Sequence, residues 1–391
     1  MTKEQFIKSL SKVKLIIGNG FDLHCNIATS YKNYFLHDEY KNYSLNAWIN
    51  KFLPKLDDYV DFNKGNYKDF WIPFEHFDKT NIWDLFFYIN SDVHYGNTKE
   101  YRWCDIEDKI CSWLKDRTPS AFDNGKPQWE IVYNIINNYN KSDNERVKLM
   151  AAFIFKKHNE NRFDNINDFY MFLLSELKLF ERNFGLYIDK LHYDRTNEAF
   201  GVVLQKTRFS FLAKLTIEKL CNLNNLVSID SFNYDDLENN ELNKKLANIN
   251  GTVDAPIFGI DSNIFPAFDI RYIFSKTNRR MDLDMLSDEK KNDESFENLV
   301  IYGHSLNEAD YSYFFSIFDK LRISDLTSDS KIVFAFSIYD ENQEEQIRSS
   351  LRNSIAKMFY DYSLYLGKDK QPNRLLDILT SQGKILMYEL I

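Results

Sequence analysis

Two side chains in this sequence are suited to moving a proton near neutral pH. His304, directly after Gly303, has an ordinary pKa of about 6.5. Glu107 lies in the run Trp103-Cys104-Asp105-Ile106-Glu107-Asp108, one helical turn beyond Trp103. His304 reads either as a general base or as a side chain bracing its own loop. Glu107 reads as an acid, a base or a ribose binder if its helix covers a ligand, and otherwise as part of a solvated acidic face. In Asn233-Tyr234-Asp235-Asp236, Asn233 offers an amide for ribose hydroxyls, and Asp235 can accept from them or orient a water. An Asx turn ending a strand would use the same residues. Asp310, shortly after His304, ties the next helix to this turn or faces the same pocket. In Gly18-Asn19-Gly20-Phe21-Asp22, two residues without a Cβ let a ligand approach the main chain closely, the arrangement that presents N–H groups to a phosphate. Asp22 would orient that loop, and His24 would cap it.

Other chemistries lack support. The four cysteines, Cys25, Cys104, Cys111 and Cys221, are scattered and read as reduced thiols. There is no His-Glu-x-x-His, cysteine pair or aspartate ladder, so no metal is expected. Ser305, in Gly303-His304-Ser305-Leu306-Asn307, lacks the closing glycine of a nucleophile elbow.

Each polar cluster follows a run that must be a strand to place it. Val13-Lys14-Leu15-Ile16-Ile17 is almost continuously apolar, as a strand buried on both faces of a parallel sheet is. It feeds the Gly-x-Gly turn, and Thr29-Ser30-Tyr31-Lys32 reads as the cap and start of the following helix. The full dinucleotide fingerprint is incomplete, because Leu23 holds its third glycine position. Residues 226–232 form a β-rich run ending at Asn233, and Leu299-Val300-Ile301-Tyr302 ends at Gly303-His304-Ser305. Lys331-Ile332-Val333-Phe334-Ala335-Phe336 precedes a helix expected over 341–359. Short strands are expected at 248–251 and 256–260, and a helix at 2–11. Residues 275–298 are densely charged and read as a mobile loop or exposed helix. Aromatic residues recur at helical spacing from about 33 to 215, with loops at 54–73 and 116–127 and connections at 140–146 and 158–167. No internal repeat is present.

The pattern predicts an α/β fold: a doubly wound, mainly parallel, Rossmann-like sheet with a large helical insertion. It reads as one elaborated domain over 1–391. Residues 12–35 and 216–391 supply most of the nucleotide-binding core, and 36–215 a mostly helical cover. Ligands of such sheets bind beyond the carboxyl ends of the strands, where Gly18-Asn19-Gly20, Asn233-Tyr234-Asp235 and Gly303-His304-Ser305 all fall.

Composition narrows the partners. Of the 391 residues 44% are hydrophobic, ample for a core, and the net charge of −9 gives no general footprint for nucleic acid. No apolar run approaches the length of a membrane-spanning helix and no signal peptide is apparent, so a cytoplasmic protein is expected.

The motifs taken in order resemble the AbiH family, bacterial proteins linked to abortive phage infection. Ile16-Ile17-Gly18-Asn19-Gly20-Phe21-Asp22-Leu23 with Thr29-Ser30-Tyr31 resembles that family's opening. Trp103 to Glu107, Ser231-Phe232-Asn233-Tyr234 and Ile257-Phe258-Gly259-Ile260 are similar to its inner motifs. The run Tyr302 to Tyr311 is similar to its C-terminal one. A more distant likeness is to sirtuin-type NAD-binding domains, where an Asn contacts the nicotinamide ribose and a His before Gly acts as base. Asn233 matches that Asn, but Asn250-Gly251 stands where His-Gly would be, and Asn250 cannot take a proton.

The resemblance implies an antiphage effector that binds NAD or a related nucleotide and hydrolyses its nicotinamide–ribose bond. His304, Glu107 and Asn233 would carry catalysis. Gly18, Asn19, Gly20, Phe21, Asp22, Asn233, Tyr234, Asp235, Asn250, Gly303, Ser305 and Asp310 would hold the ligand. A phage-derived trigger and a homo-oligomer are further expectations. Two alternatives stand beside this reading: a nuclease or phosphodiesterase acting on nucleic acid in the same crevice, and a non-catalytic sensor of a nucleotide or phage protein.

Overall fold

Aliphatic residues on both faces of 13–17 demand cover on two sides, and the structure supplies it. The computed structural model describes residues 2–27, 29, 34, 81–89, 106–116, 165–193, 199–281, 295–325, 327–367 and 371–390. Strands β1 (Val13–Ile17), β2 (Leu226–Ser231), β3 (Leu246–Asn248), β4 (Asn298–Tyr302), β5 (Lys331–Phe336) and β6 (Ile385–Glu389) form one sheet. Their order across it is β3-β2-β1-β4-β5-β6, and every pairing is parallel. Ile17 at the end of β1 stands opposite both Ser231 and Tyr302. That flush register brings the residues after β1, β2 and β4 to one edge.

Alternation along β1 divides the core. Val13, Leu15 and Ile17 pack with Phe209, Ala213 and Ile217 of α6 (Ala199–Leu220) and with Ile7 of α1 (Lys3–Lys8). Ile16 turns to the other face, where Ile301 and Phe334 meet Phe314 and Phe318 of α8 (Tyr311–Lys320) and Phe359 of α9 (Glu344–Tyr365). Burying one such side chain stabilises the fold by roughly 1.5–3 kcal/mol, so both layers hold the sheet firmly. Helices α3 (Ile82–Ile89), α4 (Ile106–Asp116) and α5 (Ile166–Tyr193) build a third, aromatic core. In it Trp83 packs edge-on to Trp113 with ring centroids 4.7 Å apart, and its indole N–H donates to the Leu173 carbonyl at 2.8 Å. Tyr234, Phe258 and Phe274 join this core, which anchors α4 beside the sheet edge.

Several sequence expectations shift. The N-terminal helix is shorter, Lys3–Lys8: a Thr2–Gln5 capping box fixes its start and Ser9 caps its end. The helix expected at 341–359 begins at Glu344 after a 3₁₀ turn and runs on to Tyr365. Near 250 the strand ends at Asn248, and Gly251 adopts φ +84° where Gly251–Thr252 pairs antiparallel with Ala255–Pro256. Of the strand expected at 256–260, only Ile260 makes a further bridge, to Ser275. The charged stretch from 275 is not simply exposed: it opens with α7 (Lys276–Arg280), whose Lys276 and Arg279 are buried because each meets carboxylates. Helix α10 (Arg374–Ser381) and β6 were not anticipated. Of the expected loops and connections, 54–73 and 140–146 lie outside the described residues, as do all of 116–127 but Asp116, which ends α4, and all of 158–167 but its last three residues, where α5 begins at Ile166. The Ser30-Tyr31-Lys32 helix start and Trp103-Cys104-Asp105 also lie outside them.

Candidate functional site

The glycine turn after β1 and the turn after β4 fit into each other. The Gly18 amide donates to the Tyr302 carbonyl at 3.1 Å, and Gly20 donates to the Gly303 carbonyl at 2.8 Å. A Cβ on Gly18 or on Gly20 would stand 2.8 Å from Gly303 or His304 backbone atoms. Gly303 itself has φ +70° and would push a Cβ onto the backbone of Gly20 and Phe21. The three glycines therefore serve backbone-to-backbone contact between β1 and β4. The amides of Gly18 and Gly20 expected to face a phosphate are spent on that contact, and α2 (Asn19–His24) is a helix of only six residues.

Asn233 fastens β2 to the same turn. Its amide nitrogen donates to the Gly18 carbonyl at 3.1 Å and to Asp22 Oδ1 at 2.6 Å. With two acceptors facing that nitrogen, the side-chain oxygen points the other way and meets no donor among the described residues. Asp22 Oδ2 accepts from the Thr29 hydroxyl at 2.9 Å, and the Asn19 amide reaches Thr29 at 2.7 Å. Burial, reinforced by the nearby Asp235 carboxylate, raises the Asp22 carboxyl well above its usual range. Asn248 braces the loop from β3, donating to the Asp235 carbonyl at 3.0 Å.

A second cluster adjoins the first through Gly18, which packs on His304. Lys276 Nζ lies 2.7 Å from both Glu107 and Asp310, and the three side chains are almost fully enclosed. The imidazole of His304 places Nε2 3.4 Å from the other Asp310 oxygen, while Nδ1 accepts the Leu306 amide at 2.9 Å. That amide fixes the neutral ring with its proton on Nε2, facing Asp310. Leu306 holds φ +56°, uncommon for a residue with a side chain, and its amide bond to the ring supports the tight turn. Phe232 stands edge-on to the imidazole with centroids 4.3 Å apart.

The three charges divide unequally. Burial would raise Asp310, but Lys276 and His304 overcome it and hold this carboxyl well below the ordinary range. Burial raises Glu107 to about 7, opposed by Lys276 and by a Gly259 amide hydrogen bond, and assisted by the Asp310 charge. Burial works against the Lys276 cation, yet its two carboxylate partners raise its pKa and keep it protonated. The outcome is one permanently ionised carboxylate and one carboxyl that exchanges its proton near neutral pH. Glu107 reaches the cluster from the first turn of α4, at the sheet edge, where Gly259 lets the chain pass against Phe274 and Lys276.

Arg280, one turn beyond Lys276, completes the edge. Its Nε donates to the Ile249 carbonyl at 2.9 Å, and one terminal nitrogen donates to Asn250 Oδ1 at 3.0 Å, 3.9 Å from Asp310. Beneath this layer Asp230 of β2 accepts Lys14 at 2.7 Å and the Tyr313 hydroxyl.

Of the residues singled out from sequence, Gly18, Asn19, Gly20, Asp22, Asn233, Gly303, His304, Asp310, Glu107 and Asn250 meet in these two adjoining clusters, with Asp235 beside Asp22. Phe21 and Tyr234 do not: their rings enter the hydrophobic cores, Phe21 against Tyr302 and Tyr234 against Phe184 and Phe258. Burying so much aromatic area outweighs a place at the edge. Ser305 is exposed. Sequence reasoning missed Lys276 and Arg280, since nothing in a run of charge marks which members turn inward. Among the described residues no group of three or more metal-ligating side chains converges, and no helix is long and apolar enough to cross a membrane. Two open cavities, of about 430 and 530 Å³, lie along α9 and between α1 and β6, and neither is lined by residues of the two polar clusters.

Comparison with curated proteins and with solved structures found no match. The family model described as bacteriophage abortive infection AbiH matches residues 15–334, from the middle of β1 into β5, and so takes in both clusters. This chain belongs to the AbiH family, whose description assigns it to abortive infection by bacteriophage.

Proposed function

We propose that this chain is an antiphage effector that binds NAD or a related nucleotide at the carboxyl edge of its sheet and hydrolyses the nicotinamide–ribose bond. The order β3-β2-β1-β4-β5-β6 is that of doubly wound dinucleotide-binding sheets, whose ligands sit where the order reverses, between β1 and β4. Both polar clusters flank that point. Among the described residues the side-chain oxygen of Asn233 meets no donor, and it is available to a ribose hydroxyl.

The observation that carries the reading is Glu107, a carboxyl enclosed at the sheet edge and raised to about 7 by burial and the Asp310 charge, with Lys276 and the Gly259 amide opposing. A group so poised is matched to proton transfer at cellular pH, and such tuning concentrates at functional sites. Nicotinamide departs from a pyridinium with the bonding electron pair and needs no proton. The ribose carbon left behind develops positive charge, which the Glu107 carboxylate stabilises. Water then adds to that carbon and passes its proton to Glu107. His304 has both ring nitrogens engaged, so it acts by holding Asp310, and Asp310 by holding Lys276.

The test is nicotinamide release from NAD by the purified chain, with and without phage lysate, alongside Glu107→Gln and Asn233→Ala. Release abolished by both substitutions supports the reading, and a folded protein that releases none under any condition refutes it. A second reading, a sensor that binds without cleaving, draws on the occupied nitrogens of His304 and the enclosure of Lys276 and Asp310. Tight nucleotide binding without turnover would select it.

A further inference from the structure

Resting on that reading of the site, we infer that Arg280 is the residue that takes the ligand's phosphate, in place of the glycine turn, and that the ligand is therefore a phosphorylated nucleotide and not a free nucleoside. The turn after β1 has spent the amides of Gly18 and Gly20 on Tyr302 and Gly303, and the Phe21 amide donates to the Gly18 carbonyl at 2.8 Å. Those three amides are not free to take an anion at this edge. Lys276 is enclosed and already faces two carboxylates at 2.7 Å.

Arg280 differs on each count. Its side chain is 17% exposed, against 3% for Lys276. Ile249 and Asn250 fix the plane of the guanidinium through Nε and one terminal nitrogen, and the cation lies 5.4 Å from the Tyr313 ring centroid. Among the described residues the nearest carboxylate oxygen, on Asp310, is 3.9 Å away and is already held by Lys276 at 2.7 Å. Among the described residues the other terminal nitrogen meets no acceptor, which leaves one donating edge of a rigid fork for a planar or tetrahedral anion. Asn250 gains a role here as well. A histidine in that place would add a second cation when protonated, whereas the neutral amide oxygen orients Arg280 without competing with its ligand.

The experiment compares equilibrium binding of ADP and adenosine to the full chain by calorimetry, for the wild type, Arg280→Gln and Arg280→Lys. The wild type should bind ADP at least tenfold more tightly than adenosine. Arg280→Gln should bring ADP to the level of adenosine while adenosine affinity changes less than twofold. Arg280→Lys keeps the cation but not the fork, and should lose at least threefold of the preference; it serves as the decisive variant should the glutamine protein not fold. A wild type without preference for ADP, or a variant that keeps it undiminished, overturns the assignment. Cleavage of NAD with an unchanged KM in Arg280→Gln overturns Arg280 alone, whereas ADP preference without nicotinamide release overturns only the hydrolase reading.

Discussion

Replacing Glu107 by Gln should change how stability depends on pH more than it changes stability at any one pH. The carboxyl stands at about 7 in the folded chain against an ordinary 4.5, chiefly through burial. The folded state therefore holds this proton more tightly than the unfolded one. That contribution is fully present below pH 4.5 and is lost as pH rises through about 7, and the whole span amounts to about 3 kcal/mol. Glutamine resembles the protonated acid and carries no such slope. It loses one of the two donors facing the carboxylate, Lys276 or Gly259, which adds a pH-independent offset of about 1–2 kcal/mol. Asp310, held low by Lys276 and His304, titrates only in strong acid and is common to both proteins. Urea denaturation from pH 5 to 8 should show the variant gaining about 2–3 kcal/mol relative to the wild type across that range. Parallel profiles would refute the claim that Glu107 is buried with a raised pKa, and with it the proton-transfer role.

Three further substitutions test the scaffold. Gly303→Ala, which must hold φ +70° and drive a Cβ onto Gly20 and Phe21, should cost more than about 2 kcal/mol, read as a drop in the denaturation midpoint; near-wild-type stability would mean the two turns are not interlocked. Arg279→Leu strands Glu181, which otherwise takes both arms of the guanidinium and the Phe258 amide, and should cost about 3–5 kcal/mol by the same assay; a loss under 1 kcal/mol would contradict the burial of that pair. Asn233→Asp sets a third carboxyl beside Asp22 and Asp235 and removes the donor to Gly18, so it should destabilise by about 2–4 kcal/mol at pH 7 and visibly less at pH 5; a penalty that grows on acidification would exclude charge repulsion as its cause.

The fold was legible where strands are buried on both faces. Val13 to Ile17, Leu299 to Tyr302 and Lys331 to Phe336 announce themselves as near-continuous apolar runs, and the polar residues after the first two form the site. Strand β6 was not, because Ile385-Leu386-Met387-Tyr388-Glu389 pairs with β5 alone and follows no turn signal as plain as Gly-x-Gly. The charge cluster was half legible. Glu107, His304 and Asp310 stood out by type and place, but Lys276 finds Glu107 across 169 residues and Asp310 across 34. A partnership at such separation leaves no local trace, so a run of charge looks solvated until the chain is folded. Phe21 and Tyr234 fail for the opposite reason: their position within the motifs suggested a ligand, but their apolar area sent both rings into the core.

The most direct test of the central claim is the NAD content of bacteria during phage infection, carrying either the wild-type chain or Glu107→Gln at equal protein levels. A site that cleaves NAD at the strand ends predicts a collapse of the pool after infection in wild-type cells, with the pool and phage multiplication both preserved in cells carrying Glu107→Gln. Protection by the wild type with an undiminished NAD pool would contradict it.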